Sequence, residues 1–203
     1  MQANSLQDLY ELKLQQTLDA EEQVMDAAPH LAQEVQNEQL RSTLQQHIRQ
    51  SDGQVERLRQ VMKNRGIDAK SKECISMRAM IKEAQTMLKN IGDPDTRDAF
   101  IISAQQGIEH HEIASYGTLR TWAQQLGYSG DARILQQTLD EEGQADKMLS
   151  SIAERRVNPE ASQGADHEVG IASGGQGDRS RSGELGAGGG ISGGNVERGA
   201  DMR

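Results

Sequence analysis

The stretch from Ile102 to Leu119, I-S-A-Q-Q-G-I-E-H-H-E-I-A-S-Y-G-T-L, decides the fold. Ile102, Gln105, Glu109, Glu112, Tyr116 and Leu119 recur at three- and four-residue steps, so they share one face of a helix. That face is apolar at its ends and acidic in its middle. A carboxylate carried out of water costs several kcal/mol or is neutralised by a shift in its pKa. Two acids on a core-facing stripe therefore call for a basic partner or a metal ion.

Working outward, Asp93-Pro94 is a strong helix start, with Asp as N-cap and Pro at the first helical position, and Gly127 marks the end. Ser129 or Asp131 opens a following helix with the stripe Leu135, Leu139, Glu142, Asp146 and Leu149, expected to end before Pro159. Upstream, Cys74 to Leu88 is a shorter amphipathic segment closed by Gly92, expected to cover one side of a bundle or to build a dimer contact. Asn37 is a plausible N-cap for the stripe Leu40, Leu44, His47, Ser51, Gln54, Leu58 and Val61, which stops at Gly66. The first helix presents Leu6, Tyr10, Leu14, Thr17, Glu21, Val24 and Ala28, with a kink expected at Pro29. Four long helices in two pairs, with a short one between the pairs, predict an all-α four-helix bundle with a crossover.

Composition divides the 203 residues into a bundle domain, 1–158, and a Gly-rich tail, 159–203, expected to be disordered because it lacks the apolar content that offsets ordering entropy. A formal net charge of −9 argues against sequence-independent nucleic-acid binding, which needs clustered Lys and Arg. No run approaches the ~20 apolar residues of a membrane span, and the start of the chain has neither the basic nor the apolar region of a signal peptide. The single cysteine, Cys74, fits a reducing compartment and reads as a small buried hydrophobe. A cytoplasmic protein is the expectation. Trp122 reads as core or interface filler, while His30 and His167 read as solvated.

Polar side chains converge at the middle of the bundle. A carboxylate-bridged di-metal centre takes a Glu from each of two helices and a Glu-x-x-His pair from the other two. Glu21 and Glu109 fill the single-Glu places, Glu112 lies one turn beyond Glu109, and Glu142 with Asp146 fills a fourth-helix place. The second helix offers only His47, Gln50, Ser51 and Gln54, and an amide gives a neutral oxygen that holds a cation weakly. The expected ligand set is Glu21, Gln50, Gln54, Glu109, Glu112, Glu142 and Asp146, with His110 as a further ligand or supporting partner and His111 exposed. The competing reading is a hydrogen-bonded polar layer with Arg120 or Lys147 as counter-ion, in a bundle that acts through partner binding or structural protection rather than catalysis. Phosphate-cradling loops, nucleophile elbows and paired CxxC motifs are missing.

Four segments carry a resemblance: Asp8-Leu9-Tyr10 through Ala20-Glu21-Glu22-Gln23 to Ala28-Pro29; His47 through Gln54-Val55-Glu56-Arg57-Leu58; Ile108-Glu109-His110-His111-Glu112-Ile113-Ala114-Ser115-Tyr116-Gly117-Thr118-Leu119; and Thr138-Leu139-Asp140-Glu141-Glu142 with Ala145-Asp146. In this order they resemble the YciF/YciE family of ferritin-like bacterial stress proteins over about residues 5 to 155. The resemblance implies a ferritin-like bundle, often a homodimer, with iron or manganese in its core and, for some members, a catalase-like activity on hydrogen peroxide. Two departures stand out. His47-Ile48-Arg49-Gln50-Ser51 replaces a commonly acidic second-helix motif, and Gly143 replaces a Lys beside the acids, at a helix cost of about 1 kcal/mol relative to Ala.

Overall fold

A computed structural model describes residues 3–163 as helices throughout, joined by short turns and one longer connection. Helix α1, Leu6–Glu34, is opened by a capping box in which Ser5 accepts from the Asp8 N–H and Asp8 returns the bond, and it carries Pro29 inside its last turns. Asn37 caps α2, Glu38–Asn64, through its side-chain oxygen at 3.1 Å from the N–H groups of Gln39 and Leu40. A short helix, α3, spans Ile75–Leu88. Asp93 caps α4, Pro94–Gln125, and α5 runs Ser129–Ile152. Gly66 and Gly127, which follow α2 and α4, have φ of 67° and 78°, the left-handed conformation that glycine adopts without steric cost.

Pro159 does not stop the last helix. A wider turn, Ala153–Val157, continues α5 directly into helical residues 158–163. A looser turn leaves room for chain that a regular i→i−4 ladder would exclude. The first five residues of the predicted tail are therefore helical, and the rest of that segment lies outside the described residues.

Cross-helix contacts fix the topology. Glu34 meets Arg97 while Glu21 meets Tyr116, so α1 and α4 run antiparallel. Gln54 meets Glu142 while Asn64 meets Asp131, so α2 and α5 do too. α1 pairs with α2 and α4 with α5 through tight turns, which leaves α2 and α4 pointing the same way. A chain leaving α2 must travel back along the bundle before α4 can start. The connection through α3 does this, lying against α1 and α4.

The interior has two apolar ends. One is built on Tyr10, Leu14, Leu18, Leu58, Tyr116 and Leu135. The other is built on Leu40, Leu44, Ile101, Ile102, Leu149 and Ile152. A smaller cluster of Ala20, Val24, Cys74, Met77 and Ile108 sits under α3, so that helix covers a side of the bundle. Cys74 is buried there as expected. No helix of the described residues is long and apolar enough to cross a membrane.

Candidate metal centre

Between the two apolar ends, all four long helices turn polar at one level. Glu21 of α1, His47 and Gln54 of α2, Glu109 and Glu112 of α4 and Glu142 of α5 are buried there. One ligand-type atom from each of His47, Glu109, Glu112 and Glu142 lies within 4.8 Å of all the others. Glu109 and Glu112 come together because a three-residue step keeps them on one face of α4.

Few donors meet these acids. The Tyr116 hydroxyl donates to Glu21 Oε1 at 2.6 Å, and Gln105 donates to Glu109 Oε1 at 2.7 Å. The Gln54 amide donates to Glu142 Oε1 and, at 3.3 Å, to Glu141 Oε2. His47 Nε2 stands 3.3 Å from Glu109 Oε1 and 3.9 Å from Glu142 Oε2, near enough for attraction without the alignment of a hydrogen bond. Left without a hydrogen bond are Glu21 Oε2, Glu109 Oε2, Glu142 Oε2, both oxygens of Glu112 and both ring nitrogens of His47. Each buried unsatisfied group costs about 1–3 kcal/mol, and a native core retains such a group for a reason.

Burial and mutual repulsion push the acids toward their neutral forms. Burial raises the Glu21 carboxyl to about 7 even though the Tyr116 hydrogen bond opposes the rise. Burial raises Glu112 well above the carboxylate range, reinforced by Glu21, Glu142 and Glu109. Glu142 moves the same way, by burial and then by the adjoining Glu109 carboxyl. The basic partners expected in the hydrogen-bonded alternative do not arrive. Arg120 donates to Gln124 at 3.3 Å, and Lys147 is exposed. Arg57 is held at the edge by Glu141 and by Thr138 Oγ1 at 2.9 Å.

Of the expected ligand set, Glu21, Gln54, Glu109, Glu112 and Glu142 come together and two residues do not. Asp146, one turn beyond Glu142, faces the gap toward α4, accepts from Gln106 at 2.9 Å and lies 3.6 Å from His110 Nδ1. Gln50 is half-buried, and among the described residues its side chain makes no hydrogen bond to the acids. His47 takes the place on α2 that the ligand set left to Gln50. The signal was in the sequence, since His47 lies on the stripe with Leu40 and Leu44. His110 is largely exposed and bonds its own helix at Gln106 O, 2.8 Å away. His111 is half-buried rather than exposed, with Nε2 3.5 Å from Cys74 Sγ. Burial raises the Cys74 thiol, but hydrogen bonds to His111 and Ser76 outweigh it and bring it to about 7.

The unpartnered carboxylate and imidazole atoms form a donor set that could hold a metal ion. Four antiparallel helices, a crossover between the pairs and a carboxylate–histidine cluster at mid-core define a ferritin-like bundle. The chain belongs to the DUF892 family, a domain of unknown function whose model matches residues 5–162. It is 37% identical to Protein YciF of Escherichia coli (strain K12) over 162 residues, covering 79% of this chain and 98% of that protein. The crystal structure of the E. coli stress protein YciF superposes with a TM-score of 0.74 over 77% of this chain and 99% of that one. YcfI, described as a putative structural protein from Rhodopseudomonas palustris, is similar at 35% identity with a TM-score of 0.73, covering 74% of this chain and 96% of that one.

Proposed function

We propose that this stress-protein relative binds two iron or manganese ions in the cluster of Glu21, His47, Glu109, Glu112 and Glu142, and that the loaded protein removes hydrogen peroxide. The observation that carries the reading is the convergence of buried, unpartnered carboxylate oxygens and imidazole nitrogens on one point, with no Lys or Arg among the described residues hydrogen-bonded to them. His47, Glu109, Glu112 and Glu142 would hold one ion, and Glu21 with the free oxygens of Glu109 and Glu112 a second. Iron and manganese supply the one-electron chemistry that protein side chains lack. The chain's own part is to orient and to exclude water. Gln105 and Gln54 hold the Oε1 atoms of Glu109 and Glu142, leaving each Oε2 free, and the two apolar clusters flank the site toward both ends of the bundle. Tyr116 holds a proton at Glu21 Oε1.

Elemental analysis of the purified, tag-free protein after growth in iron- and manganese-supplemented medium tests this directly. About two ions per chain is the expected result, followed by peroxide loss in a loaded-protein assay. A folded protein that takes up neither ion overturns the proposal. The second reading, a polar layer that only fixes the packing, has Gln54 in its favour, because its amide already serves Glu142.

A further inference from the structure

Beside the cluster, an open cavity of about 420 Å³ runs between α1, α3 and α4. Its walls are apolar, formed by Val24, Leu31, Ile81, Ala84, Leu88 and Ile108. Its size falls in the range of small-molecule sites, roughly 300–1,000 Å³.

The cavity has two chemically different ends. Because α1 and α4 are antiparallel and α3 runs alongside α1, Glu34, Lys89 and Arg97 gather at the mouth and Val24, Gln105 and Ile108 at the inner end. The ten residues from Val24 to Glu34 rise about 15 Å along α1. At the mouth, the Arg97 guanidinium is neutralised by Glu34 at 3.0 Å and donates to the Ile91 carbonyl at 2.8 Å. Lys89 is exposed with no acid in ion-pairing range among the described residues, so its charge stands uncompensated at the mouth, in a chain of net charge −9. At the inner end, the Gln105 amide already donates to Glu109 and the remaining walls are Val24 and Ile108, so no cation stands there to meet an anionic head.

We propose that this cavity binds a free medium-chain fatty acid, with its carboxylate at Lys89 and its hydrocarbon chain running inward to Gln105. The reading is independent of metal binding, because none of the wall residues named is a metal ligand. The apolar walls take up the chain, Lys89 fixes the head, and the reverse orientation would bury the carboxylate among Val24, Ile108 and an amide that is already engaged.

The test is calorimetric titration of the full, metal-stripped protein with decanoate below its micelle concentration. Saturable binding of one decanoate per chain is expected. Decyltrimethylammonium, with the same hydrocarbon and a cationic head, should bind at least about tenfold more weakly, and Lys89→Glu should weaken decanoate by about tenfold. Ala84→Trp, which plugs the cavity from α3, should abolish binding, and Ala27→Trp plugs it from α1 should the first variant fail to fold. No saturable heat with decanoate, equal binding of the two probes, or undiminished binding in a folded plug variant each overturns the proposal. So does a wild-type protein that ignores decanoate but self-associates less once plugged, since the cavity would then be a contact between copies of the chain.

Discussion

The two helix pairs reach the mid-core level with different side chains. α4 and α5 contribute three carboxylates, Glu109, Glu112 and Glu142, whereas α1 and α2 contribute one, Glu21, together with an imidazole and an amide. Two of the donors act across the divide. Tyr116 of α4 serves Glu21 of α1, and Gln54 of α2 serves Glu142 of α5. Glu112 receives none. Among the described residues, no hydrogen-bonded cation balances this wall of acids, and the imbalance shows as carboxyls pushed toward their neutral forms and as unsatisfied atoms.

The largest test of this asymmetry is at the residue that touches both sides. Replacing Glu109 by Ala removes the carboxylate shared by His47 and Gln105, and metal content measured by mass spectrometry should fall at least about tenfold, the range seen when far milder changes are made around metal ligands. An unchanged metal stoichiometry would remove Glu109 from the site.

A pH series on the metal-free protein comes next in size. Glu21 titrates near 7 when folded and from 4.5 when exposed, so between those values the folded state binds more protons than the unfolded state. The stability that this proton supports is complete below about 4.5 and is lost as the pH rises through about 7. Glu112 and Glu142 act in the same direction and carry the loss further upward. Thermal unfolding should show the fall as several kcal/mol across the window, and saturating metal should erase it. A metal-free melting point that climbs across that window contradicts the assignment.

Glu112→Leu separates stability from function. It deletes two unpartnered buried oxygens, so the metal-free protein should gain about 1–3 kcal/mol in denaturant unfolding while losing metal. Destabilisation of the metal-free form would mean that Glu112 has a partner. Tyr116→Phe is of similar size and opposite sign. It leaves both Glu21 oxygens without a hydrogen bond at a cost of about 1–3 kcal/mol, and the loss should shrink in the metal-loaded protein.

The smallest effects are expected just outside the cluster. Gln50→Glu and Asp146→Asn should each leave metal content unchanged and shift stability by no more than about 0.5 kcal/mol. A rise in metal affinity in the Gln50 variant would enlarge the neutral wall of the site to include that turn of α2.

Caps and stripes were legible because they are local. Asn37, Asp93, Pro94, Gly66 and Gly127 bound their helices where their backbone chemistry requires, and Glu21, Glu109 and Glu142 lie on apolar stripes whose period fixes their direction. Pro159 misled because proline's penalty assumes a regular helix, and the turn before it is wider. Asp146 misled because a four-residue step places it near Glu142 on the same helix without saying which neighbour it faces. Only the packing of α4 against α5 turns it toward Gln106 and His110.

The sequence by itself determined the four long helices, the short one between the pairs and the level at which acid enters the core, because periodicity and capping act within a few residues. Tertiary structure decided which polar side chains share a point. It brought His47 in from α2, left Gln50 and Asp146 aside, set His111 against Cys74 and opened the cavity under α3. Those outcomes depend on the rotation and register of one helix against another, which are set by the sum of contacts across the bundle and by no single stretch of chain.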